Sequence, residues 1–321
     1  MGVPSSVVPS GAHLWSQAGA GVTVHELSSG ATVSGPVQLA HRPVGGAGNL
    51  AVSADGKRVF ALGLDGVVAE LNTSTLAESK AGDTKQPSGG LAVNATGSLV
   101  AVLHTTRQTV SLLDTGTKAV ADIAGVLNPT SAVFSPDGGT LYVLCSGVSR
   151  IVAIDTAECA VVAQVTFGRG GNLLHLSHAL AIAPDGGRLF VTGNITTESG
   201  HADFLVPVGT EKLTAVDYLE YHGDGATALA VGADGRFVHS LDRRGKVVVF
   251  DTEVGKQAVT LDLTGEFTAG TTDPGRTRFY LSHAGHGTIQ VVDLAEATLA
   301  PSLTIDGTAA QAVVVVSDAA G

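Results

Sequence analysis

The 321-residue sequence predicts an all-β fold, a seven-bladed β-propeller built from four-stranded antiparallel blades. Three observations carry this expectation. A strand–turn–strand motif recurs six times. Each copy leads into a third strand that ends in Asp or a substitute. The two chain ends supply complementary parts of one further unit.

The six copies are "LAVSADGKRVFAL" (50–62), "LAVNATGSLVAVL" (91–103), "AVFSPDGGTLYVL" (132–144), "LAIAPDGGRLFVT" (180–192), "LAVGADGRFVHSL" (229–241) and "GTTDPGRTRFYLS" (270–282). Apolar runs flank a short Asp/Gly-rich break, the pattern of two strands joined by a tight turn. Asp hydrogen-bonds its own backbone there and Gly accepts positive φ, so Asp137 and Asp185 read as turn residues rather than catalysts. The turn glycines Gly56, Gly97, Gly138, Gly186, Gly235 and Gly275 lie 41, 41, 48, 49 and 40 residues apart.

The third strands read "TVSLLDTGT", "IVAIDTAE", "VVVFDTEVGK" and "IQVVDLAEAT", and a fourth strand leads to the next copy. Four antiparallel strands every ~40–50 residues describe a propeller blade. A seventh start, "AVVVVSDAAG" (312–321), stops at its turn, while "GAHLWSQ", "VTVHELSSG" and "TVSGPVQLA" near the N-terminus belong to no copy. Joined, they make blade 7, shared between about 11–40 and 309–321, with N-terminal strands B–D pairing with a C-terminal strand A. Closure hides the edges an open sheet would expose. The expectation is one domain over 1–321.

Composition narrows the function. Hydrophobic residues make up 44% and charged residues 15%, as in a well-buried globular chain. A formal charge of −11 argues against nucleic acid or an anionic membrane surface as partner, since both reward clustered Lys and Arg. Cys145 and Cys159 alone give no disulfide framework. The N-terminus lacks the basic and apolar parts of a secretory signal, and no run approaches the ~20 apolar residues of a membrane helix. A cytoplasmic location is expected, with a monomer compatible and the oligomeric state open.

The motif "SPDGGTLYVLCSGVSRIVAIDT" and its relatives resemble the YVTN-type repeat, and the chain as a whole is similar to the lactonase-like seven-bladed propellers. The likeness spans essentially the full length. It implies the fold, and a group that includes lactone hydrolases and binding proteins. The repeat lies in strands and turns, so it carries over no catalytic residue.

Function is therefore sought in the loops. With strands named A to D from the axis outward, A–B and C–D turns share one face. The B–C and D-to-A loops share the other. Eight of the eleven histidines fall on that second face: His41, His104, His175, His178, His201, His222, His283 and His286. Arg42, Arg107, Arg150, Arg169, Arg243 and Arg244 accompany them. Around blade 4 the loops 167–178 and 193–203 overrun the basic spacing, and long loops on a regular scaffold are usually functional. The second adds Glu198 and Asp203.

Positions at the end of strand B, or just before strand A, are expected nearest the channel: Gln17, His104, Cys145, Asn194 and His283, then Asn49, His178, Thr227 and Gln311. His41, Arg42, Arg107, Arg150 and Glu266 form a second ring, with Glu198 and His201 in the long loop. For Cys145, a small buried thiol is the commoner role than a nucleophile.

Three function classes follow. The preferred one is an enzyme acting on an anionic small molecule of carboxylate or lactone type, by hydrolysis, cyclisation or isomerisation. His104, His178 and His283 would transfer protons, and Arg42 and Arg107 would hold the substrate. The second is a non-catalytic propeller that binds a ligand or a protein. Aromatics of only 4% argue against a protein-binding scaffold, whose hot spots are usually aromatic. The third is a metal-dependent lyase or hydrolase in which those three histidines ligate a divalent ion. No cofactor is otherwise expected. No G-x-S-x-G elbow, P-loop or paired C-x-x-C is present.

Overall fold

A computed structural model describes residues 11–44, 49–85, 89–197, 200–221, 225–242, 244–305 and 309–317, with 178, 197, 200 and 201 described as backbone. Apart from one 3-10 turn (Ser146–Val148), every regular element among them is a strand.

Seven antiparallel sheets stand in a ring. Blade 1 comprises Leu50–Val52, Arg58–Leu62, Val67–Asn72 and Glu78–Asp83. Blade 2 comprises Gly90–Val93, Leu99–His104, Thr109–Asp114 and Val120–Ala124, and blade 3 Pro129–Phe134, Thr140–Cys145, Arg150–Asp155 and Ala160–Thr166. Blade 5 holds Ala226–Val231, Phe237–Asp242, Lys246–Asp251 and Lys256–Asp262; blade 6 holds Phe267–Thr272, Arg278–His283, Thr288–Asp293 and Thr298–Thr304. The expected closure is present. Ala312–Val316 is strand A of blade 7 and pairs with His13–Ala18, with Gly21–Glu26 and Thr32–Gln38 completing the sheet.

Blade 4 departs from the loop reading. Its extra residues lengthen the B–C hairpin into two ten-residue strands, Arg188–Thr197 and Gly200–Gly209. The outer edge is split between Thr214–Ala215 and Leu219–Tyr221. The other long segment folds into a small ribbon, Gly168–Arg169 against Asn172–Leu173. Arg169 lies over the Phe204 ring at 5.1 Å and ties that ribbon to the hairpin.

The core sits between blades, as seven apolar layers that each join one sheet to the next. One strand-B position fills most of them with an aromatic ring: Trp15, Phe60, Tyr142, Phe190 and Tyr280. Blade 2 puts Ala101 there and blade 5 puts His239. Burying each large ring contributes about 2–3 kcal/mol.

The turns explain the repeat at atomic level. In blades 1 to 5 the fourth turn residue is Gly56, Gly97, Gly138, Gly186 or Gly235, each left-handed with φ between 68 and 74°. The Thr after the last strand-C residue, or after Gly209 in blade 4, donates its hydroxyl to that glycine's carbonyl: Thr73, Thr115, Thr156, Thr210 and Thr252, at 2.7–3.1 Å. The Thr is thus a clamp between the C–D and A–B turns. Blade 6 lacks both halves. Leu294 replaces the Thr, and Arg276 rather than Gly275 takes the left-handed position, at φ 52°.

Candidate functional site

Two cavities lie along the ring axis. At the A–B face one of about 690 Å³ is lined from all seven blades. Its walls are mostly apolar, including Leu50, Val93, Phe134, Ile182 and Val314. Among the described lining residues only Asp273 and Arg276 are charged. Toward the opposite mouth, a cavity of about 190 Å³ is lined by Gly89, Gly90, Thr130, Thr227, Gly270 and neighbouring apolar residues.

The strand geometry decides which predicted residues reach the axis. Strand A carries one extra residue at its mouth end in blades 3, 5 and 6, between Pro129 and Ser131, Ala226 and Ala228, and Phe267 and Ala269, and two in blade 4, between Leu176 and Leu180. The intervening Thr130, Thr227 and Thr268 turn their hydroxyls back to strand-B carbonyls at 3.3–3.4 Å. Thr227 lines the small cavity, as expected of a channel residue. His178 falls in the corresponding stretch of blade 4; its side chain lies outside the described residues.

The other candidates sit elsewhere. His104 is 2% exposed and bonds Ser111 Oγ through Nε2 at 2.8 Å, and Ser111 in turn donates to Asp122. These groups lie on strands B, C and D, so the relay runs outward through blade 2, away from the channel. Cys145 is packed between blades 2 and 3, and burial pushes its thiol up to about 11, outweighing the nearby Arg150. Gln17 is fully buried, donating to Gly19 O at 3.0 Å, and its backbone carbonyl accepts Gln311 N–H at 2.8 Å. The Gln311 side chain is exposed. Asn49 is buried and Asn194 half-buried, on the blade 4 hairpin opposite His175 and Asp203.

His283 is half-buried. Its ring stacks on His286 with centroids 3.6 Å apart, meets Phe267 edge-on, and accepts Gly285 N–H at Nδ1. That bond leaves Nε2 as the proton-bearing atom of the neutral ring. At this hairpin tip the two imidazoles pack on each other.

In the second ring, Arg42, Arg107 and Glu266 are exposed, and Arg150 bonds Gln164 at 3.1 Å. His41 donates from Nδ1 to Asp65 at 2.6 Å beside a 220 Å³ cleft. Burial would raise the Asp65 carboxyl, but hydrogen bonds from His41 and Val67 N–H hold it below its ordinary value. Glu198, His222 and Arg243, and the His201 side chain, lie outside the described residues. Phe167, Tyr221 and Phe267 are core residues. Desolvation, with Asp203 and Asp242 nearby, pushes the Tyr221 hydroxyl well up.

No group of three or more His, Cys, Asp or Glu among the described residues is placed to hold a metal ion. No helix among them is long and apolar enough to cross a membrane.

Sequence reasoning passed over Arg276. The signal was available: in "TTDPGRT" Arg276 stands three positions after Asp273, as Gly56 stands three after Ser53, so Arg, not Gly275, occupies the turn's glycine position.

Solved structures similar to the chain confirm the architecture. One chain of hydrazine synthase from Kuenenia stuttgartiensis aligns with TM-score 0.70 at 17% identity, covering 90% of this chain and 100% of that one. The β-propeller domain of Cps50 (Swd1) from Myceliophteria thermophila aligns with TM-score 0.66 at 10% identity, covering 83% and 88%. At such identities the likeness is one of fold. No protein-family model matches the chain, and no curated protein does so by sequence.

Proposed function

We propose that this chain is a propeller that binds a small molecule in its axial channel. One observation carries the reading: an axial cavity of about 690 Å³, of the size ligand pockets usually have, is lined by residues from every blade. Of the proposed proton-transfer residues with described side chains, His104 and His283, neither lines this cavity or the smaller one. Binding therefore has better support than acid–base turnover. The likeness of the repeat to YVTN-type, lactonase-like propellers also supports a small-molecule ligand.

The test is a thermal-shift screen of small organic acids, alcohols and sugars, followed by calorimetry on any hit. Ala233 lies exposed on the cavity lip, so Ala233→Trp fills the mouth without disturbing the core. Saturable one-to-one binding that this substitution abolishes supports the reading. Binding that persists unchanged refutes it.

A second reading keeps catalysis at the opposite mouth. His283 favours it, because Gly285 N–H fixes its tautomer and the ring is only half-buried. Its substrate would be a lactone or carboxylate. Turnover of such a compound, lost in His283→Ala and in His178→Ala, would establish it.

A further inference from the structure

We infer that the A–B mouth is a carboxylate site, with Arg276 as the anchor and a monocarboxylate of apolar body as its ligand. The inference rests on the channel-binding reading and adds to it the site's chemistry.

Arg276 stands where blades 1 to 5 place glycine, in a left-handed conformation that a residue with a Cβ adopts at a cost. Such an outlier asks for a return elsewhere. The consequence of the substitution is reach. The Cβ direction at this turn position leads toward the preceding blade: at Gly186 it meets Pro136, and at Gly235 it meets Pro184. From blade 6 the Arg276 side chain passes blade 5 altogether, and one of its terminal nitrogens donates to Ile182 O of blade 4 at 2.7 Å. The guanidinium is thereby held across the cavity mouth.

Among the described residues that single carbonyl is its only hydrogen-bond partner, and none of their carboxylates lies within ion-pair distance of it. Asp273, the other charged lining residue, is committed to its own turn, accepting from Thr277 N–H, Arg278 N–H and the Thr277 hydroxyl. Within the described residues most of the guanidinium's five N–H donors meet no acceptor. One carbonyl is partial compensation for burying a cation, and desolvation lowers its pKa.

The surroundings choose the ligand. A planar fork of donors matches a carboxylate. Most of the other lining residues are apolar, Phe134 and Ile182 among them, so the body of the ligand is predominantly apolar too. Among the described lining residues Arg276 is the one cation, so the cavity offers a fixed partner to a single carboxylate.

The experiment is calorimetric titration of the full chain with octanoate and with 1-octanol, repeated on Arg276→Met and Arg276→Lys. The expected result is one-to-one octanoate binding at least about tenfold tighter than that of octanol. Arg276→Met should erase that preference and leave octanol affinity unchanged, while Arg276→Lys keeps part of it. Circular dichroism checks that each variant is folded, and the Lys variant carries the test should the Met variant fail. Equal affinities for octanoate and octanol in the wild type would overturn the carboxylate site and leave channel binding standing. So would an octanoate preference that survives in Arg276→Met. No binding of either probe to the wild type would overturn both.

Discussion

Acid should destabilise this propeller through His239. The side chain is fully buried where blade 5 meets blade 6, and its Nε2 donates to Leu294 O at 3.0 Å. A carbonyl only accepts, so this nitrogen bears the proton and the buried, unpartnered Nδ1 bears none. Charging the ring would put a cation in an apolar layer. Desolvation therefore pushes its pKa down from 6.5 to about 4, against the Leu294 hydrogen bond and the nearby Asp293. The unfolded chain takes up the proton first. Stability from this group is complete above pH 6.5 and falls as pH drops toward 4. The loss between pH 8 and pH 5 is about 2 kcal/mol, reaching about 3 kcal/mol below pH 4. Phe60 and Phe190 show what the position accepts in other blades. His239→Phe should cost about 1 kcal/mol at pH 8, where Leu294 O loses its donor. It should also remove most of the slope between pH 7 and 5, a window above the titration of the carboxylates. Urea unfolding at pH 8, 7, 6 and 5 measures both. Parallel stability–pH curves for wild type and His239→Phe would refute the assignment.

Other outcomes follow from the same geometry. His104→Ala removes a buried hydrogen bond to Ser111 and leaves a void, so unfolding free energy should fall by about 2 kcal/mol; His283→Ala should change it by no more than about 0.5 kcal/mol. With its thiol pushed up to about 11, Cys145 is thiolate to only about one part in a thousand at pH 8, so a thiol reagent should titrate Cys159 in the native protein and both cysteines in urea. Val314→Asp sets a charge in the layer between blades 7 and 1, and should cost about 3–5 kcal/mol and broaden the unfolding transition.

The ring was legible because its signals are local and repeated. Each Asp–Gly turn and Thr clamp is written in a few consecutive residues, and the closing strands announce themselves by being left over. The site was less so, because one residue of register reverses a strand side chain between neighbouring layers. His104 and His283 both end a strand B, yet one is bonded into its blade and the other stacks at the rim. The extra residue at Thr130, Thr227 and Thr268 makes strand length an unreliable guide to which side chain meets the axis. Arg276 was hidden by a single step of alignment in one turn.

Ring closure also sets how the molecule responds to load. Residue 13 pairs with residue 316, and Gln17 with Ala312, so the outer ends of the two closing strands lie side by side. Tension between those ends does not shear the ladder. It peels the strands apart like a zip, so each rung bears the whole force in turn, and the seam yields at low tension while the six other sheets are still intact.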